Sequence, residues 1–308
     1  MSTVMVMLGV LVVVAVLIDM IVTVLAVSAG HGLVSNLVSR SLWRVLRWFH
    51  RKRPGLNILS AAGPLVIGIV TVAWGFAFLV GWVLVFWPQG ALSATDGGAI
   101  GWFDRFDHAA SLILGGSSTT VESGGQPWST IAGVARFNGI ALVSFGLAYA
   151  LPVITSVVGL RATARNIDII AEDADDFAQT VAADDERDVE WTGEFLLGMI
   201  PQLVQLTQEV KAFPIVPFFH ATSRDSALAP NLLVLDEFLS GRGDADPPPM
   251  SLRRPLERAI DGLLVVIDRH FLPRDTEHPD PDDDRARWRR AVIETWCHHD
   301  LWDDSCDP

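Results

Sequence analysis

The sequence predicts an all-α membrane protein with three transmembrane helices, a re-entrant short helix and loop ahead of the third, and an acidic cytoplasmic α-helical domain. Three observations predict it. Three apolar stretches reach the length a bilayer demands. The segment between the last two is an apolar helix too short to cross, followed by polar, glycine-containing chain. The charge then changes sign near Arg161.

A helix needs about 20 apolar residues to cross about 30 Å of hydrocarbon, because each residue rises about 1.5 Å. The first stretch, Val4 to Val27, is rich in Val, Leu, Ile and Met and holds one charge, Asp19. The second, Ile58 to Trp87, carries no charge, has Gly63, Gly68, Gly75 and Gly81 for close helix approach, and ends on the aromatic residues Trp82, Phe86 and Trp87. The third, Phe137 to Leu160, lies between Arg136 and Arg161. Met1-Ser2-Thr3 lacks the basic start of a secretory signal, so the first stretch is expected to be a retained helix.

Residues 1–160 contain eight of the 23 basic and five of the 36 acidic side chains; residues 161–308 contain fifteen basic and 31 acidic. Acidity on that scale excludes nucleic acid as a partner, because phosphate backbones are bound by clustered Lys and Arg. Between the first two spans, Arg40, Arg44, Arg47, Arg51, Lys52 and Arg53 occur without an acidic residue. Basic loops stay in the cytoplasm, which predicts an N-terminus outside, the segment from Pro88 to Trp128 outside and the acidic domain inside a bacterial plasma membrane. The same arginines alternate with Leu37, Leu42, Val45, Leu46 and Phe49 at helical spacing, as in a helix lying along the membrane surface against lipid headgroups. Voltage sensing is the competing reading, but sensors carry their arginines inside a span.

The segment from Asp107 to Gly125 draws most of the functional interest. Its early part reads as about three helical turns opened by Asp104 and Asp107, and its later part is a hydroxyl run, Ser117 to Thr120, followed by Val121-Glu122-Ser123-Gly124-Gly125. Irregular backbone at membrane depth is tolerated where it lines a water-filled cavity. This segment resembles the pore of tetrameric potassium channels, whose filter reads Thr-Val-Gly-Tyr-Gly after a pore helix; Thr119, Thr120, Val121 and Gly124 match it. Glu122 and Ser123 stand where that filter has its first Gly and its Tyr, and the run Thr120-Val121-Glu122-Ser123 is similar to the Thr-Leu-Glu-Ser filter of bacterial voltage-gated sodium channels.

The resemblance implies a homotetramer, since one loop cannot enclose a conduit. It implies residues 58–160 as the pore domain after an N-terminal unit of 1–57, and 161–308 as the cytoplasmic domain. Ion-binding residues would be Thr119, Thr120, Val121, Glu122, Ser123 and Gly124, with Ser111, Ser117 and Ser118 on the pore helix. The ligands would be permeant monovalent or divalent cations, with no cofactor. A ring of four Glu122 carboxylates would attract cations and raise each other's pKa. Alternatively, Glu122 binds a pore-helix hydroxyl or Arg136 and anchors the loop, the hydroxyl run merely satisfies local backbone, and the chain is a non-conducting sensor or scaffold.

Asp19 is costly in hydrocarbon and is expected to find a polar partner such as Thr71, or to serve gating. Pro152 removes a backbone hydrogen bond from the third span, either as a hinge or as a static kink. Enzyme signatures are missing: the sequence has no Gly-x-x-x-x-Gly-Lys, His-Glu-x-x-His or Gly-x-Ser-x-Gly motif, and no span holds a His to activate Ser117.

In the last domain, Trp191, Phe195, Met199, Leu203, Leu206 and Val210 mark an amphipathic helix, followed by helices near Asn231 to Ser240, Leu252 to Phe271 and Trp288 to Trp302. Residues 273–284 read as a disordered acidic linker. The carboxylates of Glu172 to Glu190 and the group Cys297-His298-His299 fit no standard metal loop, so a solvated helix face and a solvated tail are expected, with the two cysteines reduced. An inside ligand or partner is expected without being identified.

Overall fold

The computed structural model describes residues 2–25, 62–95, 97–170, 186–241, 248–273 and 278–299. The basic surface helix, the carboxylate run at 172–185 and Cys306 lie outside the described residues. Among those described, eight α-helices and one two-stranded sheet follow in the order α1 (Ser2–Leu25), α2 (Ala62–Val85), β1 (Leu92–Ala94), α3 (Trp102–Ile113), β2 (Val121–Ser123), α4 (Trp128–Asp168), α5 (Glu186–Ala212), α6 (Leu228–Ser240), α7 (Met250–His270) and α8 (Arg285–His299). Helices α1, α2 and α4 are the three long and apolar enough to cross a membrane.

The chain divides into two compact units. Among the described residues, the first contains α1 and residues 64–152 with the short helix and hairpin, and the second runs from Val153 through α8. In the first unit α1 and α2 meet where side chains are smallest: a Cβ on Gly9 would stand 2.6 Å from the Gly81 carbonyl oxygen and 2.8 Å from the Val85 nitrogen. Glycine there lets two backbones touch, the usual way to gain dispersion contacts between helices when lipid tails are as apolar as Leu. A Cβ on Gly75 of α2 would meet Leu142 of α4 at 3.2 Å, so α2 is packed on two sides. The outward faces keep large apolar side chains exposed, Val72 at 70%, Val143 at 70% and Phe137 at 67%, as lipid contact requires.

Asp19 accepts a hydrogen bond from Trp74 Nε1 at 2.8 Å. The partner is thus Trp74 and not Thr71, whose hydroxyl donates to the Ile67 carbonyl of its own helix at 3.0 Å. A threonine in a helix satisfies itself four residues back, whereas an indole N–H has no acceptor in its own helix.

Helix α4 is 41 residues long, about 60 Å at 1.5 Å per residue, so it extends well beyond one bilayer. The unit boundary falls at Pro152. Its last turns belong to the second unit and are tied there by polar bonds: Arg161 donates to the His220 carbonyl at 3.3 Å, Asn166 to Gln202 at 3.1 Å, and Arg165 pairs with Asp225.

In the second unit, α5 packs on α7 and α8 packs on α6 and α7. The buried stripe of α5 is Leu196, Met199, Leu203, Leu206 and Val210. The predicted stripe holds from Met199 onward; before it Leu196 is buried and Phe195 only half-buried, and the Trp191 side chain lies outside the described residues. Two further expectations are corrected. The linker is ordered at its end, because His278 bonds both Asp268 at 3.2 Å and Thr295 at 3.0 Å. Cys297 is fully buried in α8 and disulfide-bonded, so it is neither solvated nor reduced.

Candidate functional site

The segment between α2 and α4 is built from three short pieces. Helix α3 is 12 residues, about 18 Å, too short to cross a bilayer. It starts at Gly101, whose N–H donates to Asp104 Oδ2 at 2.7 Å, so an acidic group sits where the helix leaves its N–H groups unpaired. Arg105 holds this end to the rim of α2, donating to the Ile100 and Gly101 carbonyls at 2.8 and 2.7 Å with its guanidinium 5.3 Å from the Trp87 ring centre. The buried face is His108, Ala109 and Leu112. At the far end, Gly139 of α4 lies directly against the Ile113 carbonyl, a site with no room for a side chain.

After α3 the chain turns at Gly115, φ +77°, and passes through an exposed loop into β2. Here Ser118 is the organiser. Its hydroxyl donates to Asp107 Oδ2 at 2.6 Å and accepts from the Thr120 and Val121 N–H groups, both at 3.3 Å, closing the loop onto α3. Ser111 lies inside α3 and donates to the Asp107 carbonyl at 2.7 Å, while Ser117 and Ser118 fall beyond its end and are loop residues, not pore-helix residues as predicted.

Strand β2 pairs antiparallel with β1, Leu92 opposite Ser123, Ser93 opposite Glu122 and Ala94 opposite Val121. Beyond the strand, the Thr120 carbonyl accepts from the Thr95 N–H at 3.1 Å and its hydroxyl at 2.9 Å, and the Gly124 N–H donates to the Ala91 carbonyl at 2.8 Å. Gly124 abuts the Gly90 carbonyl with no space for a Cβ. Alternation then sorts the side chains. Val121 is buried, and Ser123 turns inward to His108 Nε2 at 3.0 Å. Glu122 points outward, exposed, and makes no hydrogen bond or ion pair among the described residues.

The predicted site residues therefore gather in one short stretch, Ser111 in α3, Ser117 to Thr120 in the loop after it and Val121 to Gly124 in and just after β2, apart from Asp19 in α1 and Pro152 in α4. Sequence reasoning missed His108, which joins the hairpin to the spans: it bonds Ser123 and meets Phe86 of α2 edge-on with ring centres 5.1 Å apart. Burial pushes its pKa below the ordinary 6.5. The available signal was its position four residues after Asp104, on the apolar face of the short helix. It also missed Asn138, buried in α4 with its amide nitrogen unbonded among the described residues.

The chain is similar to a membrane protein of Bacillus subtilis (strain 168). That protein, uncharacterized membrane protein YdjJ, is 24% identical over 282 residues, covering 89% of this chain and 81% of its own length. No family model and no solved structure matches the chain. The resemblance to potassium channels is thereby corrected: the similarity reaches a protein named only as a membrane protein, and no channel family is matched. The physical reason is local. A carbonyl cage needs glycines whose carbonyls are free to turn inward. Glu122 stands at the first of those glycines and Ser123 at the tyrosine, and the neighbouring Thr120 carbonyl is already bonded to Thr95. What stands is a membrane protein with three candidate spans, a short intervening helix and a helical C-terminal unit.

Proposed function

We propose that the chain is a subunit of a homo-oligomeric cation channel, four copies meeting around one axis, in which side chains rather than backbone carbonyls face the ions. The observation that carries this reading is Glu122: an exposed carboxylate without a partner, beside the exposed hydroxyls of Ser117, Thr119 and Thr120, on a rigid hairpin between two candidate spans. A ring of such carboxylates concentrates cations and binds divalent ions in preference to monovalent ones. The short helix α3 supports the hairpin from below, and α4 supplies a lining helix whose far end is bonded into the C-terminal unit by Arg161, Arg165 and Asn166. The test is cation flux through purified protein in liposomes. Parent protein passes monovalent cations with divalent block, and Glu122→Gln weakens the block and flattens its acid sensitivity while the oligomer stays assembled. A monomer in detergent, or no flux from an intact oligomer, overturns the reading.

A second reading has its own support. The Thr120 carbonyl bonded to Thr95 and Gly124 locked on Ala91 make the hairpin a closed cap, which suits a non-conducting membrane-anchored sensor or scaffold. Absence of flux with an intact, membrane-inserted protein favours it.

For orientation, the basic cluster at Arg40 to Arg53 supports an N-terminus outside and the C-terminal unit in the cytoplasm. The orientation can be tested by cysteine labelling with a new cysteine at exposed Ser251. An impermeant reagent added to intact cells reaches an N-terminal tag and not Ser251→Cys; labelling of Ser251→Cys reverses the orientation.

A further inference from the structure

We propose that the cleft between the N-terminal turns of α7 and α8 binds a phosphate-bearing small molecule. The cleft has a volume of about 300 Å³ and is lined by Arg253, Arg254, Arg258, Arg285 and Arg289 together with Glu257 and Asp261. Its lining thus carries three more positive than negative charges, inside a half of the chain that carries sixteen more acidic than basic residues. Five arginines around one cleft stand out in so acidic a half of the chain.

The two carboxylates do not neutralise the cleft, because they are turned to particular arginines. Glu257 takes Arg253 at 2.9 Å and Arg289 at 3.1 Å, and Asp261 takes Arg289 at 3.0 Å and, more loosely, Arg285 at 3.9 Å. Arg289 is itself buried, and the fully buried Asp236 behind it completes its neutralisation. Arg254 and Arg258 are left exposed at the mouth, with no ion pair among the described residues. They stand four residues apart on α7, where like charges repel by about 0.2–0.5 kcal/mol.

An anion between Arg254 and Arg258 relieves that repulsion, with Arg285 beside them, loosely held 3.9 Å from Asp261 and from Asp282. Guanidinium forks match the oxygens of a phosphate group, and several converging forks favour a multiply charged anion over a single carboxylate. The volume lies at the lower end of small-molecule sites, which suits a compact phosphate compound and not a polypeptide.

The test is calorimetric titration of pyrophosphate into the full-length protein in detergent. Saturable binding is expected, with Kd raised at least about tenfold in Arg254→Ala/Arg258→Ala. The charge-keeping Arg254→Lys/Arg258→Lys, which loses the forks, should bind more weakly than the parent and more tightly than the alanine variant. Both residues are exposed, and unchanged helix content by circular dichroism shows that the fold is kept. Competition by a water-soluble short-chain phosphatidylglycerol assigns the phosphate to a lipid headgroup, and pyrophosphate binding without such competition assigns a soluble phosphate; both outcomes support the site. No saturable binding, or equal Kd in the alanine variant and the parent, overturns it.

Discussion

The two units handle polar groups in opposite ways. In the first, the spans turn large apolar side chains outward, and polar groups are met by isolated single bonds, Asp19 by Trp74 and Ser123 by His108, or left unmet, as at the Asn138 amide nitrogen among the described residues. In the second, Leu263, Leu264 and Ile267 of α7 are fully buried, and polar groups are gathered into one hub, Arg289 with Asp236, Glu257 and Asp261. The difference follows from the solvent. Water drives apolar side chains together, so the second unit spends its shape on a core and on one neutralised guanidinium. Lipid supplies no such drive, so the first unit relies on close backbone approach and isolated hydrogen bonds.

The largest effect expected from this contrast is at the hub. Arg289→Met leaves Asp236 buried without its cation, and stability of the second unit should fall by about 3–5 kcal/mol. Thermal unfolding followed by circular dichroism reads it. Adding Asp236→Leu removes the stranded charge and should recover most of the loss; no recovery would mean that the hub holds the fold by shape and not by charge.

A smaller effect is expected where the first unit depends on close approach. Gly81→Val puts branched carbons against Val13, 2.8 Å from the added Cβ, and near the Gly9 carbonyl at 3.2 Å. The α1–α2 contact should weaken by about 1–3 kcal/mol, read as a lower unfolding midpoint in detergent. An unchanged midpoint would show that Asp19 and Trp74 alone hold these helices.

The smallest effect is a pH dependence in the hairpin. Burial lowers the folded-state pKa of His108 below 6.5, so its neutral form contributes stability that is fully present above pH 6.5 and lost as pH falls through the folded value. The melting midpoint should decline slightly in acid below 6.5, and His108→Gln, which cannot titrate, should show a smaller decline. Equal declines place the acid sensitivity elsewhere.

The three spans were legible because about 20 consecutive apolar residues have no other good use, and α5 to α8 were legible because a 3.6-residue period survives in Met199, Leu203, Leu206 and Val210. The site was legible only as a neighbourhood. Thr119 to Gly124 were identified as a unit, but their pairing with Leu92 to Thr95 lies in a stretch of only three strand residues, too short for any alternation signal to stand out.

The sequence by itself determined which segments are apolar enough to enter a membrane, where the chain turns acidic and which short segment between spans carries hydroxyls and a carboxylate. These are properties of consecutive residues, and consecutive residues are what a sequence displays. The tertiary structure alone decided that Asp19 bonds Trp74, 55 positions away, that His108 holds Ser123, and that Arg289 gathers carboxylates from α6 and α7. Each of those contacts is selected by the packing of one helix against another, which brings together groups that no local period or spacing relates.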